Sequence, residues 1–345
     1  MQKILLHLNS PRLLNNLIFA KDINGLNEPM IFLKEKMFNL GYELITSDNN
    51  NLEDCAWVIF IDTSSFNKKY GLKGLLKKKK KTRDLYQECI NAGLKNKMVL
   101  FLWEGRSVCP ENYNKNLHDN FSYVFTWNDD LVDNKKYFKF YLPSPKRLQN
   151  IKSIPFEEKK MLVNITANKK SSEPGELYTA RRQAIEFFEK RLGDQFDLYG
   201  GKWNKPINRT ERALPFLVKK YKSYRGITYN KLETLSKYKF SLCYENLIGE
   251  NGYITEKIFD CFSARSVPVY LGAKNISKYV DTDTFIDRNK FGTDNQLFDF
   301  LNKIDEKKYN SYLAAIEKYL SSEKYSLFLP ENFANTIINT LKIKK

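Results

Sequence analysis

The chain has 345 residues, 42% of them hydrophobic and 14% aromatic, which excludes a disordered protein and allows a large core. This length favours two domains over one. The formal net charge is +17, but no apolar run approaches the roughly 20 residues that a membrane span requires.

The cysteines and the N-terminus bear on the cellular compartment. Five cysteines are an odd number and form no CxxC pair, which is typical of free thiols in a reducing environment. The N-terminal run Met1–Leu6 has too short an apolar core for a signal peptide. We therefore expect a cytoplasmic protein.

Lysines are concentrated in a few places, above all in Lys77–Lys81. We favour a solvated basic surface as the explanation, and a contact with an anionic membrane at its inner face is the alternative hypothesis. No RNP strand, KH loop, zinc-ligand spacing or helix-turn-helix pattern occurs. We therefore expect no nucleic-acid partner.

Strand-like and helix-like runs alternate in the first half of the chain, which predicts a mostly parallel sheet with helices on its faces. The predicted strands are Ile4–Leu8, Tyr42–Thr46, Trp57–Ile61, Met98–Trp103 and Tyr123–Thr126. The predicted helices are Ile31–Leu40 and Arg83–Ala92. A linker begins at Pro143-Ser144-Pro145, so we assign residues 1–150 to a first domain.

A second alternating pattern follows and predicts another α/β domain, residues 151–345. Its first strands are Met161–Thr166 and Phe196–Tyr199. Its predicted helices, apart from one described next, are Glu176–Arg191, Leu232–Tyr238, Asp294–Lys303 and Lys307–Leu320. Two α/β domains, each built on an open sheet, are therefore the predicted fold.

The segment Tyr238–Gly272 is the most informative part of the chain. Its ends alternate as strands do, and Ile254, Ile258 and Phe262 recur every four residues, as on one face of a helix. Thr255 suits an N-cap, which places Lys257 in the first turn. The start of a helix carries unpaired N–H groups and a positive dipole end, so this pattern predicts a phosphate-binding site.

The segment closely resembles the signature of the α-1,3/4-fucosyltransferases, glycosyltransferase family 10. The family's donor-site core runs F-E-N, a short loop and Y-[VI]-T-E-K. This chain has Tyr244-Glu245-Asn246, then Tyr253-Ile254-Thr255-Glu256-Lys257, then Val267-Pro268-Val269, with Tyr244 in place of the usual Phe. The resemblance implies a GT-B fold, two Rossmann-like α/β domains facing across a cleft, of the soluble bacterial type.

The resemblance also implies which residues bind the donor, GDP-fucose. The signature contributes Asn246, Tyr253, Glu256 and Lys257. A family arginine in the helix after Met161–Thr166 corresponds best to Arg182, with Arg181 the alternative, and a guanidinium can bridge two phosphate oxygens. Three weaker candidates are Asn168, at a strand end, Lys231, and Glu245, whose role can also be purely structural.

The general base is expected in the first domain. Glu104 follows the strand Met98–Trp103, and a carboxylate at a strand end points toward the ligand side of an α/β sheet. The family's base is a Glu at a comparable position, usually followed closely by Ser-Pro or Pro-Pro, whereas Gly105-Arg106-Ser107 follows here. Glu111 is the rival, but we favour Glu104 because rigid elements hold catalytic groups best.

The implied reaction is inverting transfer of L-fucose from GDP-β-L-fucose to a GlcNAc-type hydroxyl, with α-1,3 linkage implied. The acceptor would be an oligosaccharide or a glycolipid, such as a lipopolysaccharide intermediate. A relative that uses another GDP-sugar is one alternative. A non-catalytic nucleotide- or nucleic-acid-binding protein is the other.

Metal chemistry is not expected. Asp281-Thr282-Asp283 has the DxD pattern with which some glycosyltransferases hold Mn²⁺, but it lies far from the predicted helix start in sequence, and we interpret it as a turn. His7 and His118 have no partner at ligand spacing. We expect no metal site and no required cofactor, and stimulation by Mn²⁺ or Mg²⁺ stays open.

Overall fold

A computed structural model describes residues 1–8, 10–63, 83–145 and 153–344. The chain divides into two compact units. Unit 1 comprises Met1–Asp22, Leu26–Pro145 and Leu329–Lys345, and unit 2 comprises Ile23–Gly25 and Lys146–Phe328. The run Lys77–Lys81, on which the membrane hypothesis rests, lies outside the described residues.

The described residues contain strands that the sequence pattern largely anticipates. They are β1 Gln2–His7, β2 Tyr42–Thr46, β3 Cys55–Ile61, β4 Met98–Leu102, β5 Tyr123–Thr126, β6 Tyr137–Lys139, β7 Lys160–Ile165, β8 Phe196–Tyr199, β9 Tyr238–Tyr244, β10 Val267–Leu271 and β11 Ile286–Asp287. The predictions for β2, β5 and β8 are confirmed residue for residue. The short edge strand β6 was not predicted, because three residues carry too little alternation to stand out.

Helices connect most of these strands. They are α1 Glu28–Asn39, α2 Leu85–Asn91, α3 Lys115–His118, α4 Tyr178–Leu192, α5 Arg209–Ala213, α6 Lys231–Ser236, α7 Glu256–Ser263, α8 Ile276–Tyr279, α9 Asp294–Asn302, α10 Glu306–Leu320, α11 Glu323–Ser326 and α12 Pro330–Thr340. The predicted face of α7 is confirmed, since Ile254, Ile258 and Phe262 are all buried.

Each unit is built on one fully parallel sheet. The order is β2-β1-β3-β4-β5-β6 in unit 1 and β11-β10-β9-β7-β8 in unit 2. In unit 1, β2 lies on one side of β1, and β3 to β6 follow on the other side. In unit 2, β8 lies on one side of β7, and β9 to β11 follow on the other, so the switch points are β1/β3 and β7/β9. Ligands of open parallel sheets bind at the carboxyl ends of the strands beside such a switch point.

The end of the chain, Leu329–Lys345, belongs to unit 1, whereas the sequence pattern predicts that all of 151–345 forms the second domain. Helix α12 packs along α1 and buries Phe333, Ala334 and Ile337. The ring of Phe333 lies 6.1 Å from that of Phe101 and 5.8 Å from that of Trp103. The apolar face of α12 therefore completes a core that the first 145 residues leave open.

No helix in the described ranges is long and apolar enough to cross a bilayer. All five cysteines are buried and unpaired.

Candidate functional site

The switch point of unit 2 brings together the ends of β7 and β9. Thr166 follows β7, and Glu245 and Asn246 follow β9, so their positions meet at one edge of the sheet. Helix α4 returns from β7 and helix α7 from β9. The predicted donor residues lie on these four elements or in the loops beside them, except Lys231, which begins α6.

Arg181 of α4 ties the two strand ends together. Its Nη1 donates to Thr166 Oγ1 at 3.0 Å, and its Nη2 lies 2.7 and 2.6 Å from the carbonyl oxygens of Tyr244 and Glu245. Nη2 also reaches Asn246 Oδ1 at 2.9 Å. The side chain is buried, which lowers the pKa of the guanidinium. Arg181 therefore fixes the ends of β7 and β9 relative to each other.

Arg182, the residue that the sequence analysis preferred over Arg181, takes a different position. It is partly exposed and donates to Lys169 O at 2.6 Å and to Thr179 Oγ1 at 3.0 Å. The helix pattern contains the signal that separates the two arginines. Ala184, Ile185 and Phe188 are buried and follow Arg181 at three, four and seven residues, so Arg181 lies on the inward face of α4.

The start of α7 holds a buried carboxylate. Glu245 is fully buried, and its Oε1 accepts from the Thr255 N–H at 2.9 Å. Its Oε2 accepts from Lys257 Nζ at 2.8 Å and from the Thr255 hydroxyl at 2.9 Å. Thr255 is the N-cap, as predicted, and accepts from the Lys257 N–H. Glu245 thus holds the first turn of α7 against the end of β9.

Lys257 remains a cation in this setting. Burial by itself lowers the pKa of the ammonium group, but the charges of Glu245 and Glu256 outweigh burial and raise it. Its Nζ also donates to Thr255 Oγ1 at 3.0 Å. In the part of the chain that the structure describes, these contacts use two of its three N–H donors, so the third can reach a ligand oxygen.

The other signature residues surround this pair. Tyr253 is buried, and its hydroxyl accepts from Asn246 Nδ2 at 3.2 Å. Glu256 is partly exposed in the first turn of α7, 4.0 Å from Lys231 Nζ. Lys231 itself lies 2.5 Å from the buried carboxylate of Asp260, a residue that the sequence analysis did not single out. Lys231 therefore connects the start of α6 to the inner face of α7.

Asn168 lies just beyond the end of β7. Its backbone N–H donates to Gly201 O at 2.9 Å, and the side chain is 8% exposed. The Oδ1 atom is buried and has no hydrogen-bond partner among the described residues. A buried amide oxygen without a partner is costly, so this atom is a candidate contact for a bound ligand.

The two rival carboxylates of unit 1 differ in how they are held. Glu104 follows β4 by two residues, is partly exposed, and has its backbone N–H bonded to Asp62 Oδ1 at 3.0 Å. Glu111 is exposed in the 3-10 turn Pro110–Tyr113, with Cys109 Sγ at 3.8 Å from its carboxylate. Neither Asp62 nor its partner Asn112 was predicted, although Asp62 directly follows the buried strand β3.

The described residues contain no group of three or more His, Cys, Asp or Glu side chains that could hold a metal ion. Within the DxD sequence, the Asp281 carbonyl accepts from the Thr284 N–H at 3.1 Å, and the Asp281 carboxylate pairs with Lys324 at 2.5 Å. This segment is a turn whose first carboxylate is already paired. His118 Nε2 donates to the Asn112 carbonyl at 2.8 Å, and its Nδ1 forms a hydrogen bond with the Tyr137 hydroxyl at 3.0 Å.

The family assignment follows from a match to the model of the glycosyltransferase family 10 (fucosyltransferase) C-terminal domain, over residues 157–328. Residues 157–328 are a glycosyltransferase family 10 domain. The resemblance read from the signature is therefore confirmed for this part of the chain. The domain contains every donor residue predicted from the sequence, from Asn168 to Lys257.

Curated fucosyltransferases match part of this chain. The Helicobacter pylori "Alpha-(1,3)-fucosyltransferase FucT" is 37% identical over 84 residues, 24% of this chain and 17% of the relative. The mouse "4-galactosyl-N-acetylglucosaminide 3-alpha-L-fucosyltransferase 9" is 40% identical over 87 residues, 24% of each chain. The Arabidopsis thaliana "Alpha-(1,4)-fucosyltransferase" is 38% identical over 82 residues, 23% of this chain and 20% of the relative. The match thus spans less than a quarter of each relative's length.

Solved structures extend the likeness to the whole chain at the level of the fold. A crystal structure of an α1,3-fucosyltransferase with GDP-fucose aligns with a TM-score of 0.54 and 15% identity, covering 99% of this chain and 90% of that chain. T4 phage BGT in complex with UDP-glucose aligns with a TM-score of 0.55 and 10% identity, covering 99% of each chain. The predicted GT-B fold of two parallel-sheet α/β units is confirmed.

Proposed function

We propose that this protein is an inverting fucosyltransferase that moves L-fucose from GDP-β-L-fucose to a hydroxyl of a GlcNAc-type sugar. The observation that carries the proposal is the pairing of Lys257 with buried Glu245 at the start of α7, within a family 10 domain. This pairing holds a cation and a helix N-terminus in one place, which suits a diphosphate leaving group.

The donor residues divide the work of binding GDP-fucose. Lys257 offers its remaining N–H to the diphosphate, where it offsets the charge that develops as the sugar–phosphate bond breaks. Asn168, Asn246 and Glu256 offer amide and carboxylate groups to the ribose and fucose hydroxyls. Arg181 and Glu245 hold these groups in place, since both are buried. Arg181 is bonded to the strand ends, and Glu245 is bonded to the start of α7.

The reaction needs one general base and no covalent intermediate. As the acceptor oxygen attacks the anomeric carbon, Glu104 takes the hydroxyl proton and the bond to the GDP oxygen breaks on the opposite face. The transition state has oxocarbenium character, so positive charge develops on the anomeric carbon and the ring oxygen as GDP departs. This scheme requires no metal ion, and the assay below tests whether Mn²⁺ stimulates turnover.

The names of the relatives support the linkage and the acceptor. The Helicobacter pylori and mouse proteins are named as α-(1,3)- and 3-α-L-fucosyltransferases, and the Arabidopsis thaliana protein as an α-(1,4)-fucosyltransferase. We favour O3 of GlcNAc in an oligosaccharide or glycolipid acceptor, with O4 as the alternative. Mass spectrometry with methylation analysis of the product distinguishes them.

The direct test is GDP release from GDP-fucose by purified protein, with and without N-acetyllactosamine, first in EDTA and then with Mn²⁺. The expected result is acceptor-dependent release in EDTA. Release with GDP-mannose but not with GDP-fucose would reassign the donor. GDP binding without turnover on a panel of glycan acceptors would instead favour a non-catalytic binding protein.

The choice of base is tested by Glu104→Gln, with Glu111→Gln as the matched control. Both substitutions remove one negative charge and leave the side-chain volume unchanged. Glu104→Gln should lower kcat about 100- to 10,000-fold, because the amide cannot take the proton, while GDP affinity stays at the wild-type value. If Glu111→Gln causes this loss instead, the base is Glu111.

A further inference from the structure

The ends of β3 and β4 are joined by a buried carboxylate. These strands are parallel neighbours in unit 1, so Asp62, which follows β3, lies beside Trp103 and Glu104, which follow β4. Asp62 Oδ1 accepts from the backbone N–H of Trp103 at 2.8 Å and from that of Glu104 at 3.0 Å. The side chain is therefore bonded to the two peptide groups that precede the Glu104 side chain.

A second buried side chain closes the arrangement. Asn112 is fully buried, and its Nδ2 donates to Asp62 Oδ1 at 2.6 Å and to the carbonyl of Glu104 at 3.0 Å. Its Oδ1 accepts from the Thr63 N–H at 2.8 Å. Both backbone polar groups of Glu104 are thus fixed, the N–H by Asp62 and the carbonyl by Asn112.

This arrangement is costly to build, which argues against an incidental contact. Asp62 is 8% exposed, and burial raises the pKa of its carboxyl to about 6. Asp62 also has φ of 62°, in the left-handed region that L side chains rarely adopt. In compensation, an ionised carboxylate forms hydrogen bonds about twice as strong as those of a neutral acceptor. Asp62 therefore holds the two backbone N–H groups more firmly than a neutral side chain would.

We propose that Asp62 is a positioning residue for transfer, which acts by holding the backbone of Glu104 at the end of β4. The inference rests on the proposed function, in which Glu104 takes the acceptor proton. A base gains its rate advantage from correct placement, and a displacement of about 1 Å can cost about 100-fold in rate. Asp62 touches neither substrate nor proton in this role.

Two substitutions separate positioning from folding. Asp62→Gly removes the acceptor and suits the left-handed backbone, so it avoids new strain. Asp62→Asn keeps an amide oxygen in the position of Oδ1, and Asn also tolerates this backbone conformation. We expect Asp62→Gly to lower kcat about 10- to 100-fold with the KM of donor and acceptor and the GDP affinity changed less than about 2-fold. Asp62→Asn should stay within about 3-fold of wild type.

The decisive measurement repeats Asp62→Gly in the Glu104→Gln background. Because Asp62 acts through Glu104, the double variant should lose less than about 2-fold beyond Glu104→Gln alone. If Asp62→Gly lowers kcat equally in both backgrounds, or leaves kcat unchanged in the wild-type background, the inference is wrong. If Asp62→Gly does not fold, as judged by near-UV circular dichroism, Asn112→Ala replaces it with the same expectations.

Failure of the proposed function would look different. In that case wild-type protein would show no acceptor-dependent GDP release, and no variant could be ranked by kcat. A wild-type enzyme with normal turnover, combined with an unaffected Asp62→Gly variant, would overturn only the positioning role.

Discussion

Replacement of Lys257 by Met separates the structural role of this lysine from its proposed role toward GDP. Lys257 Nζ lies 2.8 Å from the carboxylate of Glu245, which is fully buried, and 22% of the lysine side chain is exposed. Met has a similar length and no charge. Among the described residues, the substitution therefore leaves the Glu245 carboxylate with Thr255 as its one direct hydrogen-bond partner, beside the buried guanidinium of Arg181.

The magnitudes follow from burial. Removal of one partner of a buried ion pair costs about 3–5 kcal/mol, and we expect about 3 kcal/mol for Lys257→Met because Arg181 still offsets part of the charge. Glu245→Gln should cost less, about 1–2 kcal/mol, since the lysine that remains can reach water. The double variant removes both charges of this ion pair, so no carboxylate is left without its lysine. It should therefore cost less than the sum of the single variants, by about 2 kcal/mol.

GDP affinity should follow a different pattern. Loss of a charge-assisted hydrogen bond to phosphate, worth about 1.5–3 kcal/mol, weakens binding about 10- to 100-fold. This loss should appear in Lys257→Met and persist in the double variant, because Glu245→Gln supplies no cation. Recovered stability with unrecovered GDP affinity is thus the expected signature.

Because the chain has two units, unfolding of unit 2 is best followed locally. Hydrogen exchange of peptides covering residues 238–263, measured across a urea series, reports the free energy of opening of β9 and α7. Isothermal titration calorimetry gives the affinity for GDP. Lys237→Met is the matched control, since Lys237 forms an exposed pair with Glu233 and should change stability by less than about 0.5 kcal/mol.

Two results would refute this reasoning. Strictly additive losses of stability would mean that Lys257 and Glu245 do not interact in the folded protein. Wild-type GDP affinity in Lys257→Met would remove the lysine from the donor site and leave it a structural role only.

Three further predictions concern the cores of the two units. Phe333→Ala should destabilise unit 1 by about 3–5 kcal/mol in urea unfolding, whereas Phe38→Ala, at a side chain that is 58% exposed, should cost less than about 0.5 kcal/mol. Equal losses of stability in the two variants would mean that α12 does not contribute to the core of unit 1. Burial, aided by the charge of Arg83, lowers the pKa of His7 to about 4, below its unfolded value of 6.5. The neutral imidazole therefore stabilises the fold above pH 6.5, and up to about 3 kcal/mol is lost as the pH falls through 4. His7→Gln should show a flatter dependence of the urea midpoint between pH 7 and about 4, and an unchanged slope would contradict this account. Gly272→Ala would place a Cβ atom 2.5 Å from Cγ of buried Glu245, so stability should fall, and so should the proposed affinity for GDP. Gly201→Ala is its control, because a Cβ atom there meets nothing within 4 Å, and equal affinities in the two variants would argue against the clash.

Local patterns in the sequence were sufficient for the fold class and for helix α7. Alternation of apolar residues located most strands of both sheets, and the N-cap Thr255 and the four-residue spacing of Ile254, Ile258 and Phe262 defined α7. Such patterns depend on residues close together in the chain, so they can be read without a structure. The signature itself lies within 35 consecutive residues, Tyr238–Gly272.

The sequence could settle the choice between Arg181 and Arg182 only in part. Both arginines lie in a helix that was predicted, and the buried positions Ala184, Ile185 and Phe188 share a face with Arg181 alone. The carbonyl oxygens that make this face important belong to Tyr244 and Glu245, more than 60 residues away. The helix pattern could therefore name the inward arginine, but not what it would bind.

What the sequence by itself determined was most of the strands and several of the longer helices, together with the residue types at the ends of β7 and β9. The tertiary structure alone decided which side chains meet: Asp62 with the backbone of Glu104, Lys231 with Asp260, and α12 with the core of unit 1. Each of these contacts joins residues 29 or more positions apart. Their partners are set by the order of the strands in each parallel sheet and by which apolar face remains to be covered, and neither is encoded in a local pattern.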